Sequence, residues 1–208
     1  GVQFSGDNAH LIIKNLTATH PYNDGFNIHG DCRNCVFENI KAIECGDDGI
    51  SAHESAQYRV DGFVSIGNST GFCDTGTAQT SYNHVFIANC VGFDLYFLDH
   101  GRYELSNSVI LSSAQNPLTI TGRDKGDCRM TMDNVLFRRL TEPRLGNVAM
   151  HAVLDAKNCT FENLEVKVTG TATWHNCLIN HKPMPEGSQA NGAKVDELLK
   201  LIPKDDQP

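Results

Sequence analysis

Three aspartates in two related segments are the residues of this sequence best suited to chemistry. Asp24 opens the segment DGFNIH, and Asp48, directly preceded by Asp47, opens the similar segment DGISAH. If the two segments lie on successive turns of a repeat, strand spacing places their carboxylates about 4.8 Å apart in one column. Like charges this close predict that one of the acids holds its proton more tightly than usual.

Paired carboxyl groups are the machinery of glycoside hydrolysis. One group protonates the leaving oxygen, while the other activates water or attacks the sugar carbon. We therefore expect Asp24, Asp47 and Asp48 to be the catalytic acids of a glycosidase. The simpler interpretation is that Asp24 and Asp48 occupy Asp-Gly turns, where Asp is common because it bonds to nearby backbone.

A repeat of short units along the chain predicts how these residues are positioned. In each unit, apolar residues flank a central Asn or Gly. The units centre on Asn15, Asn39, Gly62, Asn89, Asn107, Asn134, Asn158 and Asn176. Alternating strands broken by turn residues predict an all-β fold, a right-handed parallel β-helix of about eight coils over residues 1–182. Asn tolerates the left-handed turn, and successive amides can form a hydrogen-bonded ladder.

Strand alternation then predicts which side chains face the core and which form a polar groove across the coils. The residues expected to point inward are Phe26, Ile28, Ile50, Ala52, Phe93, Leu95, Leu118 and Ile120. The groove residues expected to bind substrate are Asn27, His29, Ser51, His53, Glu54, Asp74, Asp94 and Tyr96.

The two ends of the chain differ from the repeat. Residues 183–208 form a tail in which the apolar spacing over 194–202 predicts a short amphipathic helix, expected to cap or flank the last coil. Gly1 begins almost directly in a coil. We therefore expect a preceding domain or a partner to cover the N-terminal coil.

Composition narrows the functional classes. A net charge of −8 and a pI near 5.5 disfavour nucleic acid and polyanionic substrates, and no apolar run is long enough to predict a membrane span. The eight cysteines are expected to be buried free thiols rather than a disulfide or zinc framework. No cofactor is expected, although the stacked acids could hold Ca²⁺. A glycan-degrading enzyme of this kind is expected to be secreted or periplasmic.

The acid motifs also resemble known families. Asn23-Asp24-Gly25 followed by Gly46-Asp47-Asp48 resembles the motifs of the polygalacturonases of glycoside hydrolase family 28, whose later Gly-His-Gly and Arg-x-Lys have no counterpart here. The stretch from Asp24 to Gly30 is more similar to the Asp-x-x-Asn-x-His-Gly signature of family 110, the exo-acting α-1,3-galactosidases. That resemblance covers about two coils. It implies inverting, metal-independent hydrolysis of a neutral or galactose-containing glycan by Asp24, Asp47 and Asp48.

Two other interpretations stay open. The segment from Asp48 to Glu54 resembles the Asp-Pro-His-Glu strand of alginate C5-epimerases, which implies an epimerase or lyase with His53 as the base. A non-catalytic glycan-binding, adhesin or tailspike-like module would use the same acids to hold Ca²⁺, or carry them only as turn residues.

Overall fold

A computed structural model describes residues 1–30, 32–123 and 127–184 as an all-β parallel solenoid of about seven turns. Its strands, numbered in chain order, are β1 (Val2–Phe4), β2 (Ile12–Lys14), β3 (Thr17–Thr19), β4 (Phe26–Ile28), β5 (Cys35–Ile43), β6 (Asp48–Ala52), β7 (Gln57–Ile66), β8 (Thr70–Asp74), β9 (Gln79–Ala88), β10 (Phe93–Leu98), β11 (Arg102–Ser112), β12 (Asn116–Thr121), β13 (Cys128–Arg139), β14 (Arg144–Val148), β15 (Ala152–Lys157), β16 (Thr160–Glu162), β17 (Leu164–Val168), β18 (Thr171–His175), β19 (Leu178–Ile179) and β20 (Lys182–Pro183).

The strands form two sheets that wrap one core. The groove sheet has the order β1-β4-β6-β8-β10-β12-β14-β17. The corner sheet follows β2-β5-β7-β9-β11-β13-β16-β19-β20, with β3, β15 and β18 paired beside this path. Every pairing is parallel except the short β19–β20 pair. Each turn of the chain therefore adds one strand to each sheet and brings residues one repeat apart into contact.

The predicted inward face is confirmed at all but one position. Phe26, Ile28, Ile50, Ala52, Leu95, Leu118 and Ile120 all have an exposed fraction of 0%. Phe93 was expected to join them, and this prediction is wrong. Its ring instead stacks on Tyr96 at the surface, because Asp94 and Leu95 both turn inward and interrupt the alternation.

A bend with left-handed backbone divides the longer strands of the corner sheet, and the predicted Asn ladder lies along it. Asn107 donates to Asn83, Asn134 donates to Asn107, both at 2.8 Å, and Asn176 donates to Asn158 at 2.7 Å. One coil departs from the prediction, since its bend residue is His84, with φ of 54°, in register with Asn107.

The predicted unit at Asn89 is therefore wrong, because Asn89 follows the end of β9 rather than marking its bend. This error shifts the position of one unit and leaves the number of units unchanged; the structure has about seven turns, where the sequence predicts about eight coils. The predicted tail helix over 194–202 lies outside the described residues. Within the described ranges, no helix is long and apolar enough to cross a bilayer.

Candidate functional site

The outer face of the groove sheet carries the predicted polar column. The register pairs Asn27 with Ser51, Ser51 with Cys73, Cys73 with Tyr96, and Tyr96 with Thr119. Adjacent strands in a sheet lie about 4.8 Å apart, so each coil contributes one side chain per step. The structure thus brings Asn27, Ser51 and Tyr96 onto one surface, as the sequence predicts.

Close backbone contacts fix the turns that carry the acids. A Cβ on Gly25 would lie 2.7 Å from the Gly49 carbonyl oxygen, and a Cβ on Gly46 would lie 2.0 Å from the Tyr22 carbonyl oxygen. Both distances exclude any side chain. Glycine at these positions lets the two turns stack directly, which sets Asp24 beside the next coil and Asp47 just ahead of β6.

The three predicted catalytic acids converge. One carboxylate oxygen from each of Asp24, Asp47 and Asp48 lies within 4.8 Å of the others. Asp24 and Asp48 are each 8% exposed, whereas Asp47 is exposed. The Asp24 carboxylate accepts hydrogen bonds from the Asn27 amide, from the Ser51 hydroxyl at 2.8 Å and from the Asp48 backbone amide at 3.3 Å. Asp24 is thus held both by Asn27 of its own coil and by Asp48 and Ser51 of the next coil.

The electrostatics of the cluster favour the binding of one proton by Asp48. Burial, together with the charges of Asp24 and Asp47, raises the pKa of Asp48 to about 8, although hydrogen bonds from Thr70 and Cys73 oppose the shift. The pKa of Asp47 is also raised, by desolvation and by the charge of Asp24. At neutral pH the site therefore holds Asp48 in its neutral, proton-donating form.

Two histidines extend the site along the strands. The rings of His29 and His53 stack with centroids 4.4 Å apart. His53 Nε2 lies 3.1 Å from the Ser51 hydroxyl, which itself donates to Asp24. Burial and the neighbouring His29 lower the pKa of His53, so it is neutral at neutral pH. Ser51 is 0% exposed, which makes it a bridge between His53 and Asp24 rather than a nucleophile.

An aromatic pair lies further along the same face. The Phe93 and Tyr96 rings stack at 4.2 Å with an interplanar angle of 12°, and Arg123 forms a hydrogen bond with Tyr96. Phe93 occupies the same column as Asp48, two strands away through Thr70. Strict alternation could not reveal Phe93, and Arg123 lies in the turn after β12, where no pattern marks it.

Asp74 and Asp94 do not belong to this surface, which corrects their prediction as groove residues. Asp74 is 0% exposed inside the coil, where it accepts hydrogen bonds from Thr80 at 2.6 Å and from Tyr82 at 2.8 Å. Asp94 is also 0% exposed and accepts a hydrogen bond from Ser112 at 2.6 Å. Asp74 follows the inward register of its coil, in line with Ala52 and Phe97, whereas Asp94 turns inward where the alternation of β10 is interrupted.

Glu54 is exposed in the turn after β6 and has a left-handed φ of 59°. Its charge acts on His53 and raises the pKa of that imidazole against the larger effect of burial. Cys73, by contrast, lies within the column beside the acids, half-buried and hydrogen-bonded to Asp48. The sequence gives no signal of that contact.

A divalent cation fits the cluster only in part. Ca²⁺ prefers six to eight oxygen ligands, and the three carboxylates offer oxygens within 4.8 Å of one another. Asp24, however, already accepts three hydrogen bonds. The raised pKa of Asp48 shows that a proton can relieve the repulsion between the acids.

No protein-family model, no curated protein and no solved structure matches this chain. The parallel solenoid and the geometry of its carboxylates are therefore the features from which a function can be inferred.

Proposed function

We propose that this protein is a glycoside hydrolase whose active site is the cluster of Asp24, Asp47 and Asp48. The observation that carries the proposal is the convergence of three carboxylates within 4.8 Å, one of them with a pKa of about 8. A carboxyl group that stays neutral at pH 7 beside an ionised one is the combination that general-acid cleavage of a glycosidic bond needs.

The environment of each acid suggests its role. Asp48 donates its proton to the leaving oxygen as the glycosidic bond breaks. Asp47 is the most exposed of the three and supplies the ionised carboxylate on the reacting face. Asp24 is a positioning residue, because its hydrogen bonds fix it and its negative charge raises the pKa of Asp48.

The spacing favours a double displacement. Inverting enzymes hold their carboxyl groups about 6.5 to 9.5 Å apart to admit water, and retaining enzymes about 5 to 5.5 Å apart. The oxygens here lie within 4.8 Å. We therefore favour attack of an Asp47 oxygen on the anomeric carbon as the glycosidic C–O bond breaks. Water, deprotonated by Asp48, then releases the sugar and frees Asp47. The resemblance to family 110 implies inversion instead, so the anomer formed first distinguishes the two routes.

The surroundings suit a neutral glycan. Asn27, His29 and Tyr96 offer hydrogen-bonding groups along the groove, and the Phe93–Tyr96 pair lies about 10 Å from Asp48, two strand spacings along the coils. An aromatic surface at that distance suits a further sugar of an oligosaccharide. The net charge of −8 disfavours an acidic polymer.

The test is hydrolysis of neutral and galactose-containing oligosaccharides by the wild type and by Asp48→Asn and Asp47→Asn. Each substitution is expected to lower kcat by roughly a thousandfold or more without loss of the folded state. Asp155→Asn, on the corner sheet, is the matched control and is expected to leave the rate unchanged. NMR of the first anomer formed reports the stereochemical route.

These variants, together with His53→Ala, separate the rival functions. An epimerase or lyase would lose its activity in His53→Ala and would release unsaturated or epimerised sugars instead. A binding module would show no turnover and would keep its glycan affinity in all variants. A thermal unfolding midpoint that falls on chelation would assign the acids to Ca²⁺. Each of these results would contradict the hydrolase proposal.

A further inference from the structure

Two cysteines occupy equivalent positions on the last two coils of the corner sheet. Cys159 directly precedes β16 and Cys177 directly precedes β19, and the register pairs Thr160 with Leu178. Cys159 therefore lies opposite Cys177 across one strand spacing of about 4.8 Å. A disulfide bond joins residues whose Cα atoms lie about 4.4 to 6.8 Å apart, so the backbone already has the separation that such a bond requires.

The backbone ahead of the two cysteines is also the same. Asn158 and Asn176 have left-handed φ angles of 53° and 54°, and the Asn176 amide donates to the Asn158 side chain at 2.7 Å. Because the two bends stack directly, the side chains that follow them leave their coils in the same direction. The two thiols are thus placed side by side rather than on opposite faces of the sheet.

The two thiols are in contact. They hydrogen-bond to each other, and the Cys159 backbone amide donates to Cys177 Sγ at 3.4 Å. Both are free thiols in the structure. The sulfur of the last coil therefore lies against the cysteine of the coil before it, which is the arrangement of a reduced pair that can close into a disulfide.

Among the described residues, no other two cysteines share a column on successive coils. Asn68 separates Cys45 from Cys90, because its side chain accepts from the Cys45 backbone amide and its backbone contacts Cys90. The register places residues other than cysteine beside the remaining strand cysteines, with Tyr58 beside Cys35, Ser51 and Tyr96 beside Cys73, and Ala152 beside Cys128.

We propose that Cys159 and Cys177 form a disulfide bond that ties the last coil to the one before it, by exchange with a small disulfide oxidant such as oxidised glutathione. The bond would close a loop over residues 159–177. The pair lies on the corner sheet four strands beyond β7, whereas the aspartate cluster lies on the first coils, so this modification site is independent of the proposed active site.

The exchange proceeds in two steps. The hydrogen bond from Cys159 lowers the pKa of Cys177 against the opposing effect of burial, which makes Cys177 the attacking thiolate. Its sulfur displaces one glutathione thiolate from the oxidant and forms a mixed disulfide. Cys159 then loses its proton and attacks Cys177 Sγ, which releases the second glutathione. The protein gives up two electrons and two protons, and the oxidant is reduced to two thiols.

The last coil is where such a bond has the most to stabilise. β19 has two residues and pairs with β16 at two positions only. Coils at the end of a solenoid have a neighbour on one side and open more readily than central coils. A covalent link between the two coils restricts the opened state, because the chain between the cysteines can no longer extend freely.

Peptide mapping of the full chain tests the bond itself. The reduced protein is refolded from urea in a mixture of oxidised and reduced glutathione, its remaining thiols are alkylated, and it is digested with trypsin without reductant. Lys167 lies between the two cysteines, so cleavage separates them unless they are bonded. Mass spectrometry is expected to recover the Cys159 and Cys177 peptides as one cross-linked species that dithiothreitol splits.

Hydrogen exchange tests the effect on the last coil. The Leu178 and Asn180 amides donate to the carbonyls of Cys159 and Phe161. They are expected to exchange at least about tenfold more slowly in the oxidised protein than in the reduced protein, since opening of β19 is what exposes them.

Matched variants identify the pair. Cys177→Ser is expected to lose both the cross-link and the redox dependence of exchange, and Cys159→Ala takes its place if that variant does not fold. Cys90→Ser is the control, because Cys90 also follows a left-handed Asn but has Asn68 as its neighbour, and it should keep both properties. Separate alkylated or glutathione-capped peptides, a link from either cysteine to a third one, or equal exchange in the two redox forms would overturn the proposal.

Discussion

Asp48 and Asp74 are buried aspartates on neighbouring coils of the solenoid, yet their carboxyl groups have different surroundings and different pKa values. Asp74 is 0% exposed and Asp48 is 8% exposed. Burial alone would give Asp74 the higher pKa. The order is reversed, since the pKa of Asp74 is raised to about 6 and that of Asp48 to about 8.

The reversal follows from the partners of each group. Asp74 accepts hydrogen bonds from the hydroxyls of Thr80 and Tyr82 and from the backbone amide of Ala52, all of which favour the ionised form. Asp48 faces the charges of Asp24 and Asp47, which favour the protonated form. Asp74 is surrounded by hydrogen-bond donors, whereas Asp48 lies beside two further carboxylates. An acid that keeps its proton at neutral pH, as Asp48 does, can donate that proton to a substrate.

The largest difference between the two sites should be in stability. Asp74→Ala leaves the Tyr82 and Thr80 hydroxyls buried without their acceptor and is expected to lower the free energy of unfolding by about 3 to 5 kcal/mol. Asp48→Asn replaces a group that is already neutral when folded. It should leave stability unchanged or raise it on the order of 1 kcal/mol at neutral pH.

Urea unfolding of both variants measures this difference. Asp155→Asn, at an exposed position of the corner sheet, serves as the reference for the loss of a surface carboxylate whose ion-pair partner is the exposed His175. Equal destabilisation by the two changes would show that Asp48 is also a structural acceptor, and it would remove the contrast between the sites.

The pH dependence of stability should separate the two groups next. A carboxyl whose pKa is about 4 when unfolded and about 8 when folded takes up a proton on folding between those pH values. The unfolded state then binds fewer protons, so the free energy of unfolding falls as pH rises, by up to about 1.4 kcal/mol per pH unit for each such group. Asp74 contributes only up to about pH 6, and Asp94, with a pKa of about 7, extends further.

Asp48→Asn is therefore expected to flatten the stability profile between about pH 4 and pH 8, and the change is easiest to assign between about pH 6 and pH 8, where Asp74 no longer contributes. Denaturant unfolding at closely spaced pH values gives the profile. A variant whose slope in this window equals that of the wild type would mean that Asp48 is ionised in the folded protein at neutral pH. The acid role proposed for it would then be wrong.

The groove site was largely predictable because period-two alternation and a repeat of Asp-Gly place Asp24, Asp48, Asn27 and Ser51 by counting alone. The interior aspartates were not. Asp74 continues the inward column of Ala52 and Phe97, but a carboxylate by itself favours a surface position. Its burial becomes favourable only because tyrosines of β7 and β9 donate to it. Such partners are brought together by the winding of the chain rather than by local sequence.

The apolar outer face of the corner sheet, which includes Phe86, Val109 and Leu136, was marked in the sequence by continuous apolar runs rather than by alternation. After the bend residue, β9 reads Val85-Phe86-Ile87-Ala88 and β13 reads Val135-Leu136-Phe137, with no polar residue between. Continuous apolar runs are typical of strands buried on both faces. One bend was placed wrongly from the sequence because His84 occupies a position that elsewhere holds Asn or Gly, and His also tolerates the left-handed conformation.

The smallest expected effect concerns the donors that Asp48 does have. Hydrogen bonds from Thr70 and Cys73 lower the pKa of Asp48 against burial and the neighbouring charges. Thr70→Val keeps the shape of the side chain but removes one donor, so the pKa should rise by less than about one unit. The alkaline limb of the pH–activity profile would then move upward, and NMR titration of the Asp48 carboxyl would show the same direction. Thr119→Val, which lies further along the groove column, is the matched control and should move neither. A downward shift in Thr70→Val would show that Thr70 accepts the Asp48 proton, and the groove site would then resemble Asp74 more closely than its charges suggest.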